Sequence, residues 1–375
     1  MVGRPTSVAE EPNSVKRILV INPFGIGDVI FSMVLVEAMR RSFPDAFIGF
    51  LCNERTETLV RMNTSINRTF VFNRDLLRGL LKKNAILYTR ELKAFWGHLR
   101  EFKFDTVFDL SLGREFSFFS MMIGIKKRIG FDYKGRGLFL TQKRKIKGYS
   151  GRLVADAQLE LLRDAGARDV SKVPRISLTV SDSAKSSAAV FLKRQGVTEG
   201  SSILAVAPGG GKSWGKDAIF KQWDPERFAK VLNRLTKDGP FVTLLLGDQS
   251  EKELLDRTAR SIQSKTLIVA GEPLDQVAAL LLHSTALLSN DGGLMHLANA
   301  LGVKTVSIFG PVDEKVYGPY RRDIPLEIVF ESVPCRPCYQ RFYFPPCPYE
   351  RRCLDHLSVE KVVEAAGRVL AAKEA

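Results

Sequence analysis

The chain contains no apolar run long enough to cross a bilayer. Its longest candidates, such as QVAALLLHSTALLS, are broken by polar residues well short of the ~20 that a spanning helix needs. The opening residues, MVGRPTSVAEEPNSVKR, are polar, carry two glutamates and show none of the apolar stretch of a secretory signal, so a cytoplasmic protein is expected. No zinc finger, RNP sequence or clear helix-turn-helix occurs, which removes nucleic acid from the expected partners. Cysteine is sparse, with five in 375 residues, and a chain this size does not need a disulfide framework. Acidic residues are outnumbered, 41 against 56 basic, leaving a formal charge of +15 that calls for an anionic partner such as lipid or a phosphorylated substrate.

Hydrophobic residues at 45% and charged ones at 26% describe an ordinary globular protein, long enough for two domains. Strand and helix patterns alternate. RILVINPF reads as a buried parallel strand, followed by the Gly-rich turn GIGD and an apolar helix that ends before Pro44. AFIGFLCN and FDTVFDLS continue the first set. A second set runs SSILAVAP, DPERFAKVLNRLTKDG, PFVTLLLGD, SEKELLDRTARSI, TLIVAG, PLDQVAALLLHS, TALLSND, GGLMHLANALG, KTVSIFG. Asp224 before Pro225 marks a helix start. The pattern predicts an α/β protein with two doubly wound parallel sheets whose ligands bind at the strand carboxyl ends, across a shared cleft. The expected divisions are a loose tail at 1–16, domains at 17–185 and 186–355 joined through the polar run VSDSAKSSAA (180–189), and a C-terminal helix within 356–375.

Three glycine loops carry the chemistry. VAPGGGKSWGK (206–216) imitates a phosphate loop, but the first glycine of that motif would have to stand at Val206, so no ATPase loop is formed. A Gly-rich turn remains, with Gly209, Gly210, Lys212 and Ser213 able to line an anion site. NPFGIGDVIFSM supplies Gly25 and Gly27 but has Ile30 where a dinucleotide fold needs its third glycine, and the second strand ends in Leu51-Cys52-Asn53 without a ribose-binding acid. An NAD-dependent oxidoreductase is therefore disfavoured. Asp28 at this helix start reads either as a cap or as a general base aimed into the cleft. In LLSNDGGLMHLANALG, Asp291, Gly292 and Gly293 precede a helix whose free N–H groups suit a phosphate, with His296 in its first turn.

Four cysteines, Cys335, Cys338, Cys347 and Cys353, fall within nineteen residues. The last two are separated by five residues, which matches no standard zinc ribbon, so the cluster reads either as a structural zinc site or as reduced residues packing a proline-rich loop. Basic residues concentrate in KKRIGFDYKGRGLFLTQKRKIK (126–147), either a solvated face or a lipid or acceptor surface.

GIGDVI, PGGGKSW, KQWDPERF, SNDGGLMHLANALG and FGPVD, in this order over nearly the whole chain, resemble the loops of glycosyltransferase family 9, the family of ADP-heptose:lipopolysaccharide heptosyltransferases. The cysteine-rich stretch also resembles one found in many members. The resemblance implies a GT-B architecture: two Rossmann-like domains facing a central cleft. It implies inverting transfer of a sugar, heptose first among candidates, from a nucleotide-diphosphate donor to a lipopolysaccharide-core-type or other cell-envelope glycan. No metal or other cofactor is implied, and no Asp-x-Asp pair occurs to hold a metal. The implied partners are the nucleotide-sugar donor, an anionic glycolipid acceptor and the inner leaflet of the cytoplasmic membrane, contacted peripherally. By motif match, Asp28 is the base and Lys221 the diphosphate-stabilising lysine. Gly209, Gly210, Lys212, Ser213, Asp291, Gly292, Gly293 and His296 line the donor side, and Gly25 and Gly27 the acceptor side. The chain departs from the family in carrying Asp291-Gly292-Gly293 where heptose-transferring members often have Asp-Thr-Gly, which removes one hydroxyl from the donor loop. A non-catalytic nucleotide-binding member and a transferase for another sugar are the alternatives.

Overall fold

The computed structural model describes residues 17–167, 170, 175–236 and 241–373. The tail expected at 1–16 lies outside the described residues. The first half contains β1 (Arg17–Ile21), α1 (Ile26–Ser42), β2 (Phe47–Cys52), α2 (Glu57–Arg61) and β3 (Arg68–Val71). It continues with α3 (Arg74–Lys83), α4 (Ala85–Glu101), β4 (Thr106–Asp109), α5 (Glu115–Met122), β5 (Lys127–Tyr133), β6 (Gln142–Ile146) and α6 (Val154–Asp164). Its strands form one sheet in the order β3-β2-β1-β4-β5-β6, every pair parallel.

After α7 (Asp182–Arg194), the second half repeats the plan. It holds β7 (Ser202–Ala207), α8 (Pro225–Leu235), β8 (Phe241–Gly247), α9 (Lys252–Ala259), β9 (Thr266–Ala270) and α10 (Leu274–Leu282). Then come β10 (Ala286–Asn290), α11 (Gly293–Leu301), β11 (Lys304–Phe309), α12 (Glu314–Tyr317), β12 (Leu326–Phe330), α13 (Arg352–Asp355) and α14 (Val359–Ala371). The order β12-β11-β10-β7-β8-β9 is the same winding as the first sheet, again all parallel. Both sheets are the doubly wound arrangement that the alternating pattern predicts. The central strands are buried on both faces, which is why their middles are mostly apolar.

The polar run at 180–189 is not a linker. Ser181 accepts a hydrogen bond from the Ala184 amide and caps α7, which spans the boundary expected at 185/186 and packs on α10 of the second half. Its exposed serines and lysine mimic a linker, while Ala184, Ala188 and Leu192, four apart, form the stripe that α10 covers. At the other end, α14 packs on α8, β11 and β12, so the terminal helix completes the second domain.

In each sheet the chain leaves two adjacent strands in opposite directions, at β1/β4 and at β7/β10. Such a reversal opens a crevice beyond the strand ends. The turns after β1 and β10 start α1 and α11, and these two helices pack against each other between the domains. The apolar core runs through this contact, from Val29 and Phe31 to Leu297 and Ala298.

Candidate active site

The turn after β1 is held by two asparagines. Asn22, 1% exposed, donates through Nδ2 to the Asp28 carbonyl and to Ser32 Oγ, and accepts from the Phe24 amide. Asn53 at the end of β2 donates to the Pro23 and Phe24 carbonyls at 2.9 and 2.7 Å. Gly25 is the residue before α1, and Asp28 is the third residue of the helix rather than its cap. Burial pushes the Asp28 carboxyl up to about 6. The Gly25 amide and the Lys221 ammonium pull it down less than burial raises it, and Asp291 adds to the rise. A carboxylate tuned this way has the basicity of a general base near neutral pH.

The second-domain side is organised by Asn290 at the end of β10. Its Nδ2 donates to the Pro208 carbonyl at 2.6 Å, and its Oδ1 accepts from the Trp223 amide at 3.1 Å, tying the β7 loop to the Lys-Gln-Trp segment. Lys221 and Asp291 form an ion pair, Nζ to Oδ2 at 2.8 Å, with both side chains almost fully buried. The ammonium also lies over the Trp214 ring, 4.5 Å from its centroid. The first helical turn of α11 presents Gly292 and Gly293 with their amides unclaimed by the helix.

These two sides meet. A β-carbon on Gly27 would come 2.8 Å from His296 Cδ2, and one on Gly293 would come 2.8 Å from Ile26 Cβ. Only glycine permits such an approach, so the amino-terminal ends of α1 and α11 abut, and both positive dipole ends face the same gap. His296 lies edge-on to Phe31, with ring centroids 4.8 Å apart. Burial, aided by Lys221, holds the imidazole neutral with its pKa down to about 3, and Nδ1 has no partner. His296 therefore joins the helices as a neutral ring.

The other sequence-predicted residues fall into two groups. Gly209 and Gly210 sit in the β7 loop, where added side chains would collide with Glu251 and with the Ala218 carbonyl, and the Gly211 amide donates weakly to Glu251 at 3.4 Å. The closeness of this loop is thus internal to the second domain. A side chain at Gly292 would meet nothing closer than the Asn290 carbonyl at 3.8 Å. The side chains of Lys212 and Ser213 lie outside the described residues.

Several contributors carry no motif. Tyr339 packs at a tilt against Trp214 and Tyr317, with ring centroids 4.8 and 5.6 Å away, and its hydroxyl is pushed up to about 12 by burial, with Asp28 and Asp291 adding to the rise. Tyr149 of the first domain is also raised, by burial and then by Asp28. Asp109 ends β4 beside Ile21, 3% exposed, with Oδ2 unpartnered, and burial pushes it up to about 6. The one signal available in sequence was the recurrence of a polar residue at strand ends: Asn22, Asn53, Asp109 and Asn290.

The cysteine segment reaches across the cleft. Its Cys338 and Tyr339 amides donate to the Pro311 carbonyl, Tyr133 donates to the Arg341 carbonyl at 3.2 Å, and Phe342 packs on Tyr133 and Tyr149. All four thiols are free, and Cys353 is buried in the second-domain core. Among the described residues no three His, Cys, Asp or Glu side chains form a group that could hold a metal ion. In the basic stretch 126–147, Arg128 donates to the Ile125 and Phe139 carbonyls and Arg144 pairs with Glu160 and Asp164, so part of its charge is internally engaged. Among the described residues no helix is long and apolar enough to cross a membrane.

The family model for Glycosyltransferase family 9 (heptosyltransferase) matches residues 92–342. Lipopolysaccharide heptosyltransferase 2 of Escherichia coli (strain K12) is 25% identical over 306 residues, 79% of this chain and 83% of that protein. Lipooligosaccharide heptosyltransferase 2 of Campylobacter jejuni is 29% identical over 176 residues, 46% of this chain and 52% of that one. Among solved structures, the glycosyl transferase family 9 protein from Veillonella parvula DSM 2008 superposes with a TM-score of 0.76 at 22% identity, covering 95% of this chain and 97% of that one. E. coli ADP-heptose lps heptosyltransferase II gives 0.73 at 20% identity, covering 96% and 100%. At these identities the two structures establish the two-domain fold.

Proposed function

The chain belongs to glycosyltransferase family 9, and we propose that it moves a heptosyl group from ADP-heptose to a lipopolysaccharide-core-type acceptor, with inversion and without a catalytic metal. The observation that carries this reading is the position of Asp28. It has a carboxyl tuned to about 6, on a helix end that abuts the α11 amino terminus beside the buried Lys221–Asp291 pair. The names of the relatives, lipopolysaccharide and ADP-heptose heptosyltransferases, support the choice of donor and acceptor.

In the proposed reaction the Asp28 carboxylate takes the proton of an acceptor hydroxyl as its oxygen attacks the anomeric carbon from the face opposite the diphosphate. The bond from that carbon to the diphosphate oxygen breaks, and the leaving group carries away the electron pair. Lys221 and the amides of Gly292 and Gly293 stabilise the charge that grows on it, and Asp291 and Trp214 hold the ammonium in place. Each such stabilising group is worth about 10²–10³ in rate. Gly25 and Gly27 form the turn that carries Asp28 on the acceptor side, with Gly27 letting the His296 ring pack close to it. The enzyme works in the cytoplasm, with peripheral contact to the inner leaflet where a lipid-linked acceptor would lie.

The space at Gly292 gives a second reading, a donor with a different sugar, a specific observation in its favour. Thermal-shift measurements with a panel of ADP-, UDP- and GDP-sugars, followed by transfer assays with and without a chelator, test both. Stabilisation and turnover with ADP-heptose, unchanged by the chelator, are expected. Stabilisation by sugar nucleotides with no turnover on any acceptor glycan points to a non-catalytic member and defeats the reading.

A further inference from the structure

Helix α3, RDLLRGLLKK, contains four leucines and yet no buried residue. At about 100° per residue, Leu76, Leu77, Leu80 and Leu81 fall in an arc of about 140°. Arg74, Arg78, Lys82 and Lys83 occupy the remainder, together with the single acid Asp75 and Gly79. The two leucines at the rim are the most exposed, Leu76 at 55% and Leu81 at 54%. Directly after the Asn84 turn, Ile86 opens α4 at 84% exposure. This apolar ridge is unexplained by the protein's own core.

The hairpin is rooted firmly and projects freely. Phe72, just before α3, packs on Phe95 and Phe116 at 5.2 and 5.1 Å, and Trp96 and Leu99 of α4 are buried beneath. Asn73 and Asn84 cap the two helices by accepting from the Leu76 and Leu87 amides. The tip, residues 76 to 86, therefore keeps its helical form without being covered.

Between residues 74 and 93 there are six basic side chains against two acidic ones. Of the six, only Arg90 makes an ion pair among the described residues, with its neighbour Glu91 at 3.4 Å. Leucines ringed by cations suit a surface that is apolar within and anionic at its face. A second copy of the same ridge would bring like charges together, which argues against self-association.

We propose that the α3–α4 hairpin docks in the interface of an anionic bilayer, with Leu76, Leu81 and Ile86 entering the headgroup boundary and Arg74, Arg78, Lys82 and Lys83 meeting lipid phosphates. The placement suits the cleft. Strand β3 runs parallel to β1, two strands away, so α3 leaves the same sheet edge as the Asp28 turn at a lateral distance of about 10 Å. Docking there would hold the acceptor side of the cleft against the leaflet. The direction of facing rests on the lipid-linked acceptor proposed above, whereas the surface argument does not.

The test is co-sedimentation of the full chain with vesicles of phosphatidylcholine mixed with phosphatidylglycerol, and with phosphatidylcholine alone. Binding to the anionic vesicles only, weakened by salt, is expected. The variant Leu76→Gln/Leu81→Gln/Ile86→Gln should bind at least tenfold more weakly with an unchanged melting temperature. Lys82→Ser and Lys83→Ser should each cost about fivefold. Equal vesicle binding by the triple variant and the parent overturns the proposal. So does an apolar-face variant whose sedimentation coefficient changes while vesicle binding does not, which would assign the ridge to a protein contact. Sugar transfer from ADP-heptose to a delipidated soluble acceptor, run on the same samples, keeps the two readings apart. Its absence with vesicle binding intact removes the functional reading and leaves the docking surface standing.

Discussion

Gly27 and His296 touch across the domain boundary, the glycine's missing side chain making the space that the histidine ring fills. This contact brings a carboxylate from one sheet within reach of the cation and helix amides of the other. It also ties the helix that bears Asp28 to the helix that begins at Gly293.

Gly27→Ala should therefore destabilise the fold by about 1–3 kcal/mol through overpacking. Turnover should fall with it, because the two helix ends are pushed apart. Adding His296→Ala removes the obstacle, so the double variant should recover much of the lost stability. Urea unfolding of the two single variants and the double gives the coupling directly. Additive losses would mean that the contact is not what positions the helices.

Asp28→Asn should lower kcat by about 10²–10⁴ while donor affinity, read by calorimetry, changes only a few-fold. The working form of Asp28 is the unprotonated one, and its pKa lies at about 6. In the wild-type enzyme kcat/KM should thus be flat above that pH and fall roughly tenfold per unit below it. A pH–rate profile with no bend between 5 and 7 would take the role of base away from Asp28.

Lys221→Ala leaves the Asp291 carboxylate buried without its cation, a loss of about 3–5 kcal/mol for a buried pair broken on one side. Turnover should drop about 10²–10³. Replacing both partners, Lys221→Met with Asp291→Asn, should restore most of the melting temperature and none of the activity. That split distinguishes a lysine that serves the leaving group from one that only holds the fold.

His296 should make the protein acid-sensitive. Its pKa is near 3 when folded and about 6.5 when unfolded, so between these values the unfolded chain holds a proton that the folded one does not. Stability carried by this residue is complete above about pH 6.5 and is lost as pH falls towards 3, at up to ~1.4 kcal/mol per unit. Asp28 and Asp109, both raised to about 6, act in the opposite sense between about pH 4 and 6. The difference in unfolding free energy between wild type and His296→Gln isolates the histidine, and it should shrink as the pH is lowered from 6.5. A constant difference would place the ring in contact with solvent.

Much of this architecture was legible in the residues. Runs such as ILVI and ALL are apolar because parallel strands are covered on both faces, and their alternation with helices leads to two doubly wound sheets. The loops at the strand ends were legible too, since Gly, Asp and Asn there have backbone and capping roles that few other residues fill. The segment 180–189 was misleading for a physical reason. A helix with one narrow alanine stripe shows mostly its solvent face, and that face has the composition of a linker.

The sequence by itself determined eight of the twelve strands among the described residues, the doubly wound class, the glycine turns and the excess of positive charge, because these follow from local periodicity and residue chemistry. Only the tertiary structure decided that His296 lies neutral against Gly27, that Lys221 is paired with Asp291, and that Glu251 fills the space beside Gly209. It alone showed Leu76, Leu81 and Ile86 to be uncovered. Those outcomes depend on which surfaces from distant parts of the chain exclude water from one another, and burial of that kind has no local signature.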